Sequence, residues 1–243
     1  MTDAGLGFLK GMGHRQGAWS LASELVGTEL AAWFGLETLE FSVITVAPEN
    51  ELPMYGTAGN VHPGAAFISK KIQGAALDGN DVFLSRLTRP GDVARLVVFD
   101  TWIMNGDRCA PPGSLTPPNR DNVMFSPRGR RRYSLVAFDH THCFAEGDLW
   151  DEVSNPALVE TDGIYGLFPE FQPYIKREFV LEAVRRLDRL DRETVETIVN
   201  AVPKAWGITT GTANAWIDLI HRRARFVVEV VPNLLLAQQE LRV

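Results

Sequence analysis

The stretch that decides the fold runs from residue 99 to residue 139 and reads FDTWIMNGDRCAPPGSLTPPNRDNVMFSPRGRRRYSLVAFD. It begins as the end of an apolar helix and continues through a loop rich in proline and glycine. It ends in two β-prone runs, 123–125 and 133–138, which flank the turn sequence SPRG at 126–129. The sequence therefore predicts a β-hairpin directly after the loop.

Four polar side chains lie at the ends of this predicted hairpin and in the loop before it. Asn105 and Asp107 belong to the loop, Asn122 precedes the first strand, and Asp139 follows the second. Because antiparallel strands bring these ends together, Asn122 and Asp139 should lie close to each other. Their oxygens suit Mg²⁺, which takes other ligands from water and phosphates. Asp107 would then be free to orient an acceptor hydroxyl, as in kinase phosphoryl transfer.

Three short motifs in this order, NGDR (105–108), NRDNVMF (119–125) and FDH (138–140), resemble the HipA-like kinase family and, more distantly, the type II phosphatidylinositol kinases. The resemblance covers most of the chain. It implies an α+β, two-lobed, protein-kinase-like fold with a small, truncated β-rich N-lobe and a mainly helical C-lobe. It also implies a Mg²⁺- and ATP-dependent kinase, a transferase that moves a phosphoryl group to a hydroxyl of a protein or another acceptor.

The resemblance assigns roles to the loop residues, with one departure in spacing. Asp107 and Arg108 are the predicted catalytic residues, with Arg108 neutralising nearby charge, and Asn105 is predicted to bind the nucleotide. Asn122 lies fifteen positions after Asp107, whereas the protein-kinase loop has about five. The excess is the proline-rich insert 110–118, which can loop out without moving either end. The insert leaves Asn119 as an alternative metal ligand, although Asn122 directly precedes the strand.

The N-terminal region carries the predicted nucleotide contacts. Lys10 ends a short apolar strand, and by resemblance it matches the strand lysine that contacts nucleotide phosphates. Helix-forming residues at 18–34 follow, with apolar positions at helical spacing. Glu24 in this helix matches the glutamate that pairs with the strand lysine, and Glu29 is the alternative partner.

The glycine-rich loop that covers phosphates in kinases has no room in this sequence, because only nine residues precede Lys10. Backbone amides of residues 11–17 (GMGHRQG) could bind phosphate instead, but a flexible connector is the favoured interpretation. The phosphate lid is then absent, reduced or provided by a partner chain. This departure supports an alternative function, a catalytically impaired kinase-fold binding module (a pseudokinase). Transfer of AMP, as in a nucleotidyl transferase, also stays open.

Two lobes are predicted from the order of the elements. The β-rich runs 39–47 and 65–72 complete the N-lobe, and the second leads into the hinge where adenine would bind backbone groups. We therefore place the boundary near Gly74, with residues 1–74 as the N-lobe and 75–243 as the C-lobe. The C-lobe holds the catalytic loop and the hairpin.

The C-lobe is predicted to be mainly helical. A helix that starts at Pro90 and reaches Ile103 is apolar nearly all round, so it should be buried. Many acidic residues, prolines and glycines in residues 145–175 predict irregular structure with short helices. Three further helices are predicted at 176–189, 191–202 and 212–231, the last of them ending before Pro232.

Composition limits the function classes. A net charge of −6 argues against broad nucleic-acid binding, and the basic run at 128–132 is interpreted as a solvated turn rather than a docking patch. No apolar run approaches the roughly 20 residues that span a bilayer, and the N-terminus lacks a signal-peptide pattern. Because two cysteines form no disulfide framework, the chain is predicted to be cytoplasmic.

The cysteines and histidines near the hairpin allow two further interpretations. Cys109 and Cys143 lie near the predicted site, but their spacing does not favour a zinc site, which needs four well-spaced ligands. His140 follows the predicted metal ligand Asp139, and it is either a donor that orients this carboxylate or a plain polar residue.

Overall fold

The computed structural model describes residues 5–13, 16–55, 58–80, 82–144 and 156–240. The architecture is α+β with two lobes. A small antiparallel sheet and the helix beside it form the N-terminal lobe, and a helical bundle with a second sheet forms the larger lobe. The predicted α+β fold class with two lobes is confirmed.

Along the described chain, the strands lie in the N-terminal 137 residues, and four of the helices follow the last strand. The strands are β1 (Gly7–Met12), β2 (Glu37–Thr38), β3 (Phe41–Val46), β4 (His62–Lys70), β5 (Ala75–Ala76), β6 (Val123–Pro127) and β7 (Tyr133–Ala137). The helices are α1 (Trp19–Phe34), α2 (Asp92–Ile103), α3 (Gly106–Cys109), α4 (Pro156–Val159), α5 (Arg177–Leu187), α6 (Arg192–Asn200) and α7 (Thr210–Glu240).

The N-terminal sheet has the strand order β1-β4-β3, and both pairings are antiparallel. Lys10 of β1 lies opposite Phe67 of β4 in this register. A small apolar cluster packs outside the main core and consists of Val46, Val61 and Ala66. Among the described residues, no strand pairs with the outer edge of β1. The two predicted strands that complete this lobe are confirmed as β3 and β4, with shifted ends.

Helix α1 lies between the sheet and the helical lobe, since it contacts β4 on one side and α2, α5 and α6 on the other. The helix ends where Gly35 adopts a left-handed φ of 87°, which glycine adopts without steric cost. Its polar residues Ser23, Glu24 and Thr28 are buried. These side chains must therefore find partners inside the protein.

Helix α2 runs through the core of the larger lobe. Every one of its residues except Arg95 is buried, as its apolar sequence predicts. Trp102 fixes it against α7, because its indole N–H donates to the carbonyl of Ile220 at 2.9 Å. The helix ends at Met104, whose φ of 53° is uncommon for a residue other than glycine. This left-handed residue turns the chain into α3.

The predicted hairpin is confirmed as β6 and β7, which pair antiparallel with Val123 opposite Ala137. The second sheet has the order β2-β7-β6-β5, and β2 joins it in parallel. At the turn, the backbone N–H of Arg128 donates to the carbonyl of Arg132 at 2.8 Å. The register places the end of β7, and Asp139 after it, beside the start of β6.

The proline-rich insert 110–118 loops out of the fold as predicted. Residues 112–118 are exposed, and Leu115 has its whole side chain in solvent. The backbone N–H of Asn119 donates to the carbonyl of Arg108 at 2.9 Å and closes the loop. The two ends of the insert are therefore held together although the chain between them is long.

Helices α5, α6 and α7 form most of the larger lobe. The Asp191 carboxylate caps α6 by accepting the backbone N–H of Thr194 at 2.7 Å. The prediction that the last helix ends before Pro232 is wrong, because α7 continues through this proline. Proline removes one backbone hydrogen bond. Burial of Val231 and Leu235 on either side of it keeps the helix packed.

Residues 156–175, which precede α5, agree with the prediction of irregular structure with short helices. Residues 145–155 lie outside the described part, and the rest holds the short helix α4 and a 3₁₀ turn at Pro169–Tyr174. None of the helices in the described residues is both long and apolar enough to cross a membrane.

Candidate active site

The ammonium group of Lys10 lies at the centre of the site. Its Nζ is 2.9 Å from Glu24 Oε2 and 2.8 Å from Asp139 Oδ1. These side chains come from β1, from α1 and from the segment that follows β7. Burial alone would lower the pKa of Lys10, but the two carboxylates outweigh it and raise that pKa above its ordinary value. Lys10 is therefore a fixed cation near neutral pH.

Glu24 connects Lys10 with the segment after the hairpin. Its Oε2 accepts a hydrogen bond from Lys10 and another from the backbone N–H of His140 at 2.8 Å. Only 6% of the Glu24 side chain is exposed. Glu29, the alternative partner, lines a separate surface cavity together with Trp33. The structure thus makes the contact with Glu24 rather than with Glu29.

Asp139 leaves the strand β7 with a left-handed backbone. Its φ of 57° costs a residue other than glycine roughly 1–3 kcal/mol, a strain that often marks functional sites. Its Oδ1 accepts hydrogen bonds from Lys10 and Thr141. Within the described part of the chain, Oδ2 has no hydrogen-bond partner. The turn thus brings the carboxylate into the cleft instead of continuing the strand.

The charge of Asp139 makes stability depend on pH. Burial raises the pKa of this carboxyl, but Lys10 outweighs it and lowers that pKa to about 2, below the ordinary 3.8. Because the folded pKa is lower than the unfolded one, the stabilising contribution is complete above about pH 4 and is lost as the pH falls toward about 2. In urea titrations, we expect the free energy of unfolding to fall more steeply in this window for the wild type than for Asp139→Asn. Parallel curves would contradict this expectation.

Asp107 lines the same cleft as Asp139. It lies in α3, and its Oδ2 accepts the amide N–H of Asn122 at 2.7 Å and that of Asn119 at 3.4 Å. Its other oxygen, Oδ1, has no partner among the residues that the structure describes. Asp107 is therefore held from one side and open to the cleft on the other.

The two asparagines beside Asp107 differ in their hydrogen bonds. The side chain of Asn119 caps a 3₁₀ turn, because its Oδ1 accepts the backbone N–H of Asp121 at 3.2 Å. This bond directs the Asn119 oxygen toward the backbone of its own turn. Asn122 is 4% exposed and directly precedes β6. Of the two, Asn122 stays the predicted metal ligand, and its observed contact is the one with Asp107.

Arg108 and Asn105 lie behind the cleft, and both are completely buried. The Arg108 guanidinium pairs with Asp100 of α2. It also donates to the carbonyl of Asn122 at 3.2 Å and to the carbonyl of Phe138 at 2.8 Å. Arg108 thus joins α2 to both strands of the hairpin. Because Arg108 and Asn105 have no exposed surface, neither lines the cleft. Arg108 supports the site from behind through these contacts.

Three charged side chains of the site line a cleft of about 880 Å³. Its polar end carries Lys10, Asp107 and Asp139. Its apolar wall is formed by the sheet and the loop after β3, namely Leu9, Ile44, Met54 and Ile68. A smaller pocket of about 190 Å³ also borders Lys10, and aromatic side chains line much of it, namely Phe8, Phe67 and Phe138. The site therefore combines a charged end with apolar surface on two sides.

The oxygens at the polar end fit a hard divalent cation. Asp139 Oδ2 is a carboxylate oxygen without a partner in the described part of the chain, and Asp139 lines the cleft. Mg²⁺ binds one or two protein carboxylates and takes its remaining ligands from waters and phosphates. No group of three His, Cys, Asp or Glu side chains in the described residues could hold a metal. The zinc alternative thus receives no support, whereas a phosphate-bound Mg²⁺ fits.

His140 fixes the position of the segment after Asp139. Its ring is buried, with Nδ1 3.1 Å from Thr28 Oγ1 and its edge against Phe99. Burial holds the pKa of His140 well below its ordinary value, so the ring is neutral. A Cβ at Gly27 would lie only 2.5 Å from the Cβ of His140. The glycine in α1 therefore allows His140 to approach the helix.

Two contacts after Asp139 were not predicted from the sequence. The Thr141 hydroxyl lies 2.9 Å from Lys10 Nζ and 2.9 Å from Asp139 Oδ1. The side chain of Gln16 bonds the ring of His142 at 2.7 Å, which ties the glycine-containing connector to this segment. The sequence feature that could have indicated these contacts is the run of polar residues 140–142, directly after the predicted metal ligand Asp139. In that connector, residues 14 and 15 lie outside the described part, and Gly11 lines the cleft.

Comparison with solved structures supports the kinase-like fold. The crystal structure of a Helicobacter pylori proinflammatory kinase, CtkA, superposes with a TM-score of 0.59 at 14% sequence identity. The match covers 98% of this chain and 90% of that chain. At this identity the likeness concerns the fold alone. No curated protein matches the sequence.

Comparison with family models supplies the stronger relation. The model of the HipA-like kinase family matches residues 2–229, which is nearly the whole chain. The match includes both lobes and every residue of the site described above. The resemblance read from the motifs is thereby confirmed, and the chain belongs to the HipA-like kinase family.

Proposed function

We propose that this kinase-family chain transfers a phosphoryl group from ATP to a hydroxyl, with Mg²⁺ as the cofactor. Lys10, held by Glu24, binds the nucleotide phosphates. Asp139 and Asn122 hold Mg²⁺, which supplies positive charge against the phosphate oxygens when it is bound. Asp107 orients the acceptor hydroxyl and accepts its proton. Such transfer depends mainly on positioning and electrostatic stabilisation, so a few fixed charges are sufficient.

One observation carries the proposal. The Lys10 ammonium, anchored by two carboxylates, lines the same cleft as Asp107, whose Oδ1 has no partner among the described residues. A cation for phosphate and an open carboxylate for the acceptor therefore share one space. Arg108 takes a supporting role in this proposal, because it holds the backbone at Asn122 and Phe138 from behind, and Asn105 is buried beside it in the chain.

The two lobes divide the work in this proposal. Residues 1–74 provide the phosphate-binding lysine and the hinge, and residues 75–243 provide the metal ligands and the base. The outer edge of β1 has no partner strand in the described part of the chain, and in kinases the glycine-rich lid adjoins the lysine strand. A partner chain that adds strands to this edge would complete the N-lobe.

The open edge of β1 also favours the second candidate, a kinase-fold module that binds nucleotide without transferring phosphate. The identity of the acceptor does not follow from the fold, because fold alone does not determine substrate. A protein acceptor and a small-molecule acceptor both fit the proposed reaction. Transfer of AMP instead of phosphate would use the same ligands with the nucleotide in another pose.

Titration calorimetry with ATP, with and without Mg²⁺, tests the proposal on the wild-type protein and on Asp139→Ala. We expect ATP to bind the wild type and Mg²⁺ to strengthen that binding, because a cation held by Asp139 and Asn122 would offset the negative charge of the phosphates. The Asp139→Ala variant should keep the weak metal-free binding and lose the strengthening. A wild-type protein that binds no ATP under either condition would refute the nucleotide site.

Labelled ATP then separates the candidate reactions. Phosphoryl transfer moves the γ-label to the acceptor or to water, whereas AMP transfer moves the α-label. Binding without movement of either label would favour the module that binds nucleotide only. The same assay, applied to a mixture of proteins and small hydroxyl compounds, identifies the class of acceptor.

A further inference from the structure

The hydroxyl of Thr141 lies among three charged groups. Its Oγ1 accepts a hydrogen bond from Lys10 Nζ at 2.9 Å. The same oxygen is 2.9 Å from Asp139 Oδ1 and 3.2 Å from Glu24 Oε2. Thr141 is only 6% exposed, so water contributes little to these contacts. Thr141 thus contacts Lys10, Glu24 and Asp139 at once, and within the described part of the chain no other neutral side chain has hydrogen bonds to all three.

The chemistry of a hydroxyl limits what Thr141 can do there. It has one proton to donate and lone pairs to accept. Since Lys10 donates to the oxygen, the Thr141 proton must be directed to a carboxylate. Two carboxylate oxygens lie within reach, and the one of Asp139 is nearer. The hydroxyl can therefore donate to Asp139 or, after rotation, to Glu24.

We propose that Thr141 is a positioning residue of the phosphoryl-transfer site, one that holds the Asp139 carboxylate and the Lys10 ammonium in their relative places. This inference rests on the proposed function. While Oδ1 of Asp139 is held by Thr141 and Lys10, Oδ2 stays open to the cleft. The Glu24 oxygen at 3.2 Å gives the same hydroxyl a second acceptor. A buried hydroxyl with a second acceptor avoids the cost of an unsatisfied group.

Threonine, a β-branched alcohol, suits this position because its hydroxyl has to be held in one direction. Branching at Cβ restricts the rotamers of threonine, so its hydroxyl is already directed at the three charges. Serine offers the same hydroxyl with more rotational freedom. Valine has nearly the same shape but offers no hydrogen bond. Comparison of threonine, serine and valine at position 141 therefore distinguishes the effect of the hydroxyl from the effect of packing.

Calorimetric titration of ATP at a series of Mg²⁺ concentrations tests the role of Thr141. We expect Thr141→Val to raise the half-saturating Mg²⁺ concentration about tenfold, the effect of losing one hydrogen bond to a charged group. The variant Thr141→Ser should return this concentration to nearly the wild-type value. Thr197→Val, an exposed threonine on α6, is the matched control and should leave it unchanged.

Thermal unfolding of the same proteins distinguishes positioning from a purely structural role. A structural role would lower the melting temperature of Thr141→Val and leave the Mg²⁺ dependence of the folded protein unaltered, which would overturn the inference. If the valine variant does not fold, Thr141→Ala takes its place, and an unchanged Mg²⁺ dependence in that variant would have the same meaning. A wild type that binds no ATP would refute the proposed function itself, so the two failures are distinct.

Discussion

The variant Asp107→Asn is expected to lose about a thousandfold in the rate of phosphoryl transfer while it still binds ATP and Mg²⁺. A positioned general base contributes roughly 10²–10⁴ in rate, and asparagine cannot accept a proton at neutral pH. The substitution should leave the local geometry intact. The new amide can offer its oxygen to Asn122 Nδ2, which now donates to Asp107 Oδ2 at 2.7 Å.

The measurement is the release of labelled γ-phosphate, with water or the protein itself as the acceptor, at saturating ATP and Mg²⁺. Calorimetry on the same preparation shows whether binding is retained. Asp121→Asn is the matched control, since Asp121 lies near Asn122, is exposed and undergoes the same change of charge. A rate for Asp107→Asn equal to that of Asp121→Asn would remove Asp107 from the reaction.

Much of the site could be predicted from the sequence because local patterns determine it. The hairpin follows from β-prone runs around a turn, and its register alone brings Asp139 to the end where β6 begins. The contact between Lys10 and Glu24 required the family resemblance in addition, since no short-range pattern joins a strand lysine to a helix glutamate fourteen residues later.

Other features could not be predicted because they depend on tertiary packing. The motif at 105–108 does not indicate which side chains face the cleft, and packing against α2 buries Asn105 and Arg108 while Asp107 stays open. The left-handed φ of Asp139 is imposed by its surroundings. The end of α7 could not be predicted from Pro232 for the same reason. Burial of residues on both sides of this proline keeps the chain helical although proline locally favours a helix end.

The variant Arg108→Leu should destabilise the protein more than any surface substitution. Arg108 and Asp100 both have fully buried side chains, and removing one partner of a buried ion pair costs about 3–5 kcal/mol. The carbonyls of Asn122 and Phe138 would also lose their donor. The free energy of unfolding, obtained from urea titrations, measures the effect.

The matched control for this prediction is Arg225→Leu, which breaks the exposed pair with Asp188. Both side chains of that pair are more than half exposed, so we expect a loss of no more than about 1 kcal/mol. Similar losses for Arg108→Leu and Arg225→Leu would contradict the assignment of Arg108 as the buried joint of the site.

Because a loss of several kcal/mol can unfold a domain of ordinary stability, the prediction also needs a milder variant. Arg108→Lys keeps the charge beside Asp100, but its single ammonium lacks the planar fork that now reaches Asp100 and two carbonyls. We expect this variant to fold with reduced stability and to bind Mg²⁺ and ATP less tightly, since Arg108 holds the backbone at Asn122 and at Phe138, next to Asp139. Unchanged Mg²⁺-dependent binding in a destabilised Arg108→Lys protein would restrict Arg108 to stability and separate it from the site.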